Sequence, residues 1–237
     1  LMSNVGRVCV FCNSKGGVGK STISFLGSLS LYMIESDRQT TFVDLDSQAT
    51  SITALQKFTN SRFTVETCHS YMLETGQLNA GALTQFLTAR RRNGYQVIVD
   101  MPAASRPQDL IFVGEGDIVF IPTSASDADI AATHTFLQSL LRDDRRGKAS
   151  PFVVVLPNMI DDDEDMQVIR RAFWDFPVFL GRPFSYNRDF RKIFRNRNDD
   201  TNILRALQSG SEYFTWMHSV IYGGAESRIR SSRLSII

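Results

Sequence analysis

Cys9-Val10-Phe11-Cys12-Asn13-Ser14-Lys15-Gly16-Gly17-Val18-Gly19-Lys20-Ser21-Thr22 runs from apolar residues through a glycine-rich turn into residues that open a helix. The pattern reads as a buried strand, a loop and a first helical turn. Glycines let the backbone wrap closely, so successive N–H groups can point at one anion. A helix starting near Lys20 adds its positive end. Lys20 brings a full charge for phosphate oxygens, and the Ser21 hydroxyl can ligate Mg²⁺. The stretch therefore implies a cradle for nucleotide phosphates, built from Lys15, Gly16, Gly17, Val18, Gly19, Lys20, Ser21 and Thr22. It departs from the G-x-x-x-x-G-K-[ST] pattern at one place. Ser14 holds the first glycine position, and a second lysine, Lys15, directly precedes Gly16-Gly17.

Outward from the cradle, apolar runs alternate with amphipathic ones. Strands are expected at Val8–Phe11, Thr40–Leu45, Arg62–Val65 (an edge), Tyr95–Asp100, Asp117–Pro122, Pro151–Leu156 and Phe176–Leu180. Helices are expected from Lys20 to about Glu35, at Asn79–Arg92, after Ser126, after Asp161 and at Thr201–Tyr222, with a short one in Ser51–Phe58. In the first helix Ile23, Leu26, Leu29, Leu31, Met33 and Ile34 form one broad apolar face. Tyr95–Asp100 is apolar without interruption up to its terminal acid, as in strands buried on both faces. The alternation predicts an α/β fold with a mostly parallel sheet covered by helices on both faces. Residues 1–222 form one expected domain, and 223–237 a flexible tail.

Two further places carry candidate chemistry. Asp44 and Asp46 stand two apart at a strand end and share a face. Ligands in open α/β sheets lie at the carboxyl ends of strands. Asp100 closes a strand downstream of the cradle, where a carboxylate is expected to hold Mg²⁺ through a water.

The run Lys15-Gly16-Gly17-Val18-Gly19-Lys20-Ser21 resembles the deviant Walker A motif of the ParA/MinD family of ATPases. That resemblance implies a P-loop NTPase fold, ATP and Mg²⁺ as cofactors, and an ATP-driven homodimer in which Lys15 reaches the partner's ATP. It implies that Asp44-Leu45-Asp46-Ser47-Gln48 is switch I, with Asp46 positioning the attacking water and Asp44 near the Mg²⁺ shell. Lys15, Lys20 and Asp46 are thus the expected catalytic residues, and Ser21, Asp44 and Asp100 the expected metal residues. Met101–Ser105 resembles switch II. Pro122 to Asp129 is similar to the P-x-x-x-S-x-x-D segment of small plasmid ParA proteins, although Ser126 or Asp127 equally suits a plain helix cap. In the family a residue at the end of the 151–156 strand contacts adenine, which points to Asn158.

Net charge is +1, which excludes a wholly basic nucleic-acid coat but not a local patch. Cys9 and Cys12 sit three apart in a strand, so they face opposite ways and make no C-x-x-C site. The three histidines match no zinc spacing. Arg90-Arg91-Arg92 suits a helix C-terminus, and the acids 161–165 suit a helix start. Residues 188–197, if helical, place Arg188, Arg191, Lys192 and Arg195 on one face at i, i+3, i+4 and i+7. Phe190, Ile193 and Phe194 anchor the other face. Phosphate backbone would neutralise such a stripe, and the resemblance implies nonspecific DNA as the partner.

The expected function is plasmid or DNA-cargo partition with a cargo-bound adaptor protein, in the cytoplasm over the nucleoid. Conjugative DNA transfer is an alternative setting. A MinD-like ATPase held on a membrane by residues 227–237 is another, weighed down by the shortness of that tail. A ligase or iron-protein relative would need a substrate pocket or further cysteines that the sequence does not display.

Overall fold

The structure, a computed structural model, describes residues 5–35, 37–46, 55–71, 78–103, 110, 112–142, 151–185, 187–194 and 200–223. Its strands are β1 Arg7–Phe11, β2 Thr40–Asp44, β3 Phe63–Thr67, β4 Gln96–Asp100, β5 Ile118–Thr123, β6 Phe152–Ile160, β7 Phe179–Leu180 and β8 Phe184–Ser185. All pair in parallel, in the order β3-β2-β4-β1-β5-β6-β7, with β8 against the far end of β6. The expected edge strand is β3, paired with β2 alone.

Alternate strand residues feed two cores. Phe11, Phe42, Ile98, Phe120 and Leu156 face one side, under α1 (Lys20–Ile34), α6 (Asp200–Ser209) and α7 (Ser211–Tyr222). Val10, Val43, Val97, Val99 and Ile121 face the other, under α2 (Ala80–Arg92), α3 (Asp127–Arg142) and α4 (Asp163–Phe173). Burial on both faces explains why the central strands read as unbroken apolar runs. Cys9 and Cys12 fall in opposite cores, as their spacing requires. Among the described residues no helix is long and apolar enough to cross a membrane.

Caps and charges place the helix ends. The Asn79 side chain accepts the Ala82 N–H and opens α2, and Asp162 accepts the Asp165 N–H and opens α4. The acidic run therefore starts a helix, as its position implied. The arginine run is also structural. Arg90 lies over the Phe86 and Tyr95 rings, and Arg91 pairs with Asp117 at 3.1 Å.

Six expectations need correction. Met33 and Ile34 are 62% and 44% exposed instead of joining the buried face of α1. A 15-residue helix spans about 22 Å and a five-residue strand about 16 Å, so the last turn of α1 overshoots the sheet. β6 does not stop at Leu156. It continues to Ile160, because Asn158 and Ile160 find a partner in β8. β8 itself escaped the sequence reading, which took Phe176–Leu180 as the last strand. The expected 201–222 helix is two helices divided at Gly210, a residue with weak helix propensity. The helix expected over 188–197 is α5, Arg188–Lys192, only five residues long. Ile193 still has helical φ and ψ, Phe194 packs edge-on to Phe25 with ring centroids 5.4 Å apart, and 195–197 lie outside the described residues. The short helix expected in 51–58 is a 3₁₀ turn at Gln56–Phe58, with 51–54 outside the described residues.

Candidate nucleotide site

β1 delivers the chain to the middle of the sheet, between β4 and β5. The Cys12 N–H still bonds the Phe120 carbonyl at 3.1 Å, and then the cradle begins. Gly17 and Gly19 hold φ of 82° and 79°, a left-handed conformation that other residues adopt only with strain. Gly19 also has no room for a side chain. A Cβ there would stand 2.0 Å from Asn158 Nδ2. Lys20 is the first residue of α1, so the cradle opens onto a helix N-terminus. Lys15, Gly16 and Gly17 lie exposed on the rim, while Val18 and Lys20 are buried.

The acids converge on the same spot. Asp44 and Asp100 are directly opposed residues at the ends of β2 and β4. Each is 1% exposed. Lys20 Nζ lies 3.2 Å from Asp100 Oδ1. Burial raises the Asp100 carboxyl, against Lys20 and the Ser21 hydroxyl, which hold it down. Burial, then the neighbouring Asp100, pushes Asp44 up to about 7. Asp44 Oδ1 accepts the Asp46 N–H at 3.0 Å, which fixes the half-buried Asp46 just beyond the strand end.

This donor set fits Mg²⁺. Asp100 Oδ2 is buried without a hydrogen-bond partner. Two desolvated carboxylates side by side carry more negative charge than the single Lys20 offsets. Among the described residues no three His, Cys, Asp or Glu side chains gather as a metal cage. Mg²⁺ needs none, because it takes one or two protein oxygens with water and phosphate. Ser21, Asp44 and Asp100 are the residues that would hold it.

Asn158, expected at a strand end, lies within β6 and beside the cradle. Its Nδ2 donates to the Val18 carbonyl at 2.7 Å, so the side chain ties β6 to the cradle. Beside it opens a cavity of about 260 Å³ lined by Gly19, Thr22, Met159, Asn187, Phe190 and Phe194, among others. Met159, with φ of 57°, bends the backbone there. No sequence signal marked this cavity, because its walls come from four separate elements. Sequence reasoning also missed Asn13, a buried amide between strand and cradle. Its position before the glycines was the only clue.

Of the basic stripe, Arg188 and Lys192 are exposed on α5. Lys192 pairs with Asp189 at 3.3 Å, so part of its charge is already neutralised. Arg191 lies in α5, but its side chain and all of Arg195 fall outside the described residues, as do Ser47, Gln48 and the tail. The 122–129 segment is spent on capping. Ser126 Oγ accepts the Asp129 N–H, and the Asp129 carboxylate accepts from Ser124 Oγ.

Comparison with known proteins follows this geometry. The model of the AAA domain family matches residues 6–129, just over half of the chain. No curated protein matches it. Among solved structures, apo McdA of Cyanothece aligns at 14% identity and a TM-score of 0.66, covering 88% of this chain and 96% of that one. A Cyanothece McdA variant in complex with ATP aligns at 13% and 0.61, covering 86% and 95%. The ParA of pNOB8 bound to nonspecific DNA aligns at 12% and 0.54, covering 80% and 83%. At such identities the likeness is one of fold.

Proposed function

The chain belongs to the AAA domain family, with the fold of ParA/MinD-type P-loop ATPases, and on that premise we propose that it is an ATPase that dimerises on ATP, binds DNA nonspecifically and partitions or positions DNA cargo. ATP and Mg²⁺ are its cofactors. One observation carries the reading. Buried Lys20, Asp44 and Asp100 converge at adjoining strand ends beneath left-handed glycines, while Lys15 stands exposed on the rim.

The roles follow from that placement. Backbone N–H groups of residues 16–20 and the α1 N-terminus receive the β- and γ-phosphates. Lys20 leaves Asp100 for the phosphate oxygens. Ser21, Asp44 and Asp100 hold the metal, directly or through water. Held there, Mg²⁺ would supply positive charge against the charge that develops on the phosphates in the transition state. Asp46 orients the attacking water and takes its proton. The water oxygen bonds to the γ-phosphorus, the bond to the β–γ bridging oxygen breaks, and ADP and phosphate leave. The base enters the cavity between Thr22, Met159 and Phe190, where Asn158 borders it. Lys15 is too exposed to complete its own site and serves the facing subunit.

DNA recognition rests on Arg188, Arg191, Lys192 and Arg195. Dimerisation doubles the basic segment, and two weak sites held together gain avidity without new contacts. The likeness in fold to pNOB8 ParA bound to nonspecific DNA supports this reading. A cargo-bound adaptor is the partner that would stimulate turnover, and the bacterial nucleoid the place of action.

The test is binding to nonspecific duplex DNA with ATP, with ADP and without nucleotide, across a salt series. Binding that requires ATP, weakens steeply with salt and is lost in Lys15→Ala supports the proposal. Binding indifferent to nucleotide, or none in any state, overturns its DNA half. An unchanged ATPase rate in Lys20→Ala overturns its catalytic half.

A further inference from the structure

We infer that Asn13 is the positioning residue for Lys15, and that β5 and α3, through Asn13, set where the rim lysine stands. Its three hydrogen bonds leave no freedom. Asn13 Nδ2 donates to the Pro122 carbonyl and to Thr133 Oγ1, each at 2.8 Å. Its Oδ1 accepts the Lys15 N–H at 3.2 Å. A carbonyl only accepts and a backbone N–H only donates, so the amide has one possible orientation. Asn13 and Thr133 are both buried, and Thr133 passes its own proton to Thr123 Oγ1 at 3.1 Å. A satisfied buried network of this kind is rigid.

The network ends on the backbone of the one cradle lysine that is exposed. A lysine side chain is long and loses much rotamer freedom when fixed. Where its ammonium can reach is set by its anchored backbone. Ser14 reinforces the anchor by donating to the Ala132 carbonyl of α3 at 3.1 Å. A glycine at position 14, as the common cradle pattern has it, could not make that bond. The second lysine and the serine before it thus belong to one arrangement. A misplacement of about 1 Å in a catalytic group can cost on the order of a hundredfold in rate.

The inference rests on the proposal that Lys15 acts across a dimer, and the experiment separates the two. ADP affinity, ATP-driven dimerisation and turnover are measured for the wild type, Asn13→Ala, Lys15→Ala and the double variant. Asn13→Ala is expected to lose about tenfold or more in dimerisation and turnover, as Lys15→Ala does, while ADP affinity stays within about threefold. The double variant should be no worse than Lys15→Ala, because one function is lost once. Losses that multiply in the double variant overturn the inference, as does an ADP affinity that falls with turnover. If Lys15→Ala loses dimerisation and Asn13→Ala does not, the inference alone fails. If Lys15→Ala itself is silent, the Lys15 reading fails and takes the inference with it. Should Asn13→Ala not fold, Thr133→Val removes one amide acceptor at constant volume and should show the same selective loss, with Thr133→Ser restoring it. Equal behaviour of the two Thr133 variants overturns the inference.

Discussion

Asp44 shows how a residue suited to its ligand can be ill suited to the empty fold. Its carboxyl, held at about 7 against an ordinary 3.8, lies buried beside Asp100. Between those values the folded chain keeps a proton that the unfolded chain has released. Stability therefore falls as pH rises through that window. The metal-free protein is expected to melt lower at pH 8 than at pH 6. Asp44→Asn should flatten that slope and raise the melting temperature at pH 8, while weakening Mg²⁺-dependent nucleotide binding. Thermal melts of both proteins across pH without metal check the first effect, and nucleotide titration with Mg²⁺ the second. A variant that melts lower at pH 8 would show that Asp44 is compensated in the empty site.

At the scale of elements, the break at Gly210 resists a side chain. Gly210 is the N-cap of α7, where glycine is preferred to alanine, so Gly210→Ala gains nothing from helix propensity. The added Cβ would lie 2.6 Å from the Phe214 ring, itself 1% exposed and unable to retreat. Overpacking of that kind costs about 1–3 kcal/mol. The substitution should therefore lower the melting temperature, and a rise would mean that α6 and α7 can straighten into one helix. Legibility of the elements divides along the same line. α1, α2 and α4 were readable because caps and apolar periodicity are local signals. So were the central strands and the three site aspartates, each at the end of an apolar run. β8 was not readable, being two residues long and defined only by its pairing with β6. The base cavity and the Asn13 network depend in the same way on distant partners.

The scale of the whole molecule joins the cradle to the basic segment. The strand order turns outward on both sides of β1, and ligands in such sheets sit where that reversal occurs. α5 lies past β6 and β8, beside the base cavity, whose walls include Phe190 and Phe194. On the proposed function, nucleotide and DNA would meet the chain on neighbouring elements. Each lost phosphate contact should reduce the slope of log affinity on log salt by about 1. Arg188→Ala is expected to cost more than Lys192→Ala, because Asp189 already neutralises Lys192. Asp189→Asn should accordingly tighten DNA binding. Anisotropy titrations of labelled duplex with ATP measure all three, and a weaker Asp189→Asn complex would remove α5 from the interface.

The buried pairing of Lys20 with Asp100 has a consequence for the order in which ligands arrive. An anion that draws Lys20 away strands a buried carboxylate, and a cation that captures Asp100 strands a buried ammonium. Either half-filled state carries an uncompensated charge out of water, at a cost of several kcal/mol. On the proposed function the site would then work as a two-key lock, turned only when metal and triphosphate are present together. Mg²⁺ should strengthen ATP binding by the same factor as ATP strengthens Mg²⁺ binding, as reciprocity demands. Calorimetric titrations in both orders give that factor, and free phosphate or bare Mg²⁺ should leave the lock closed.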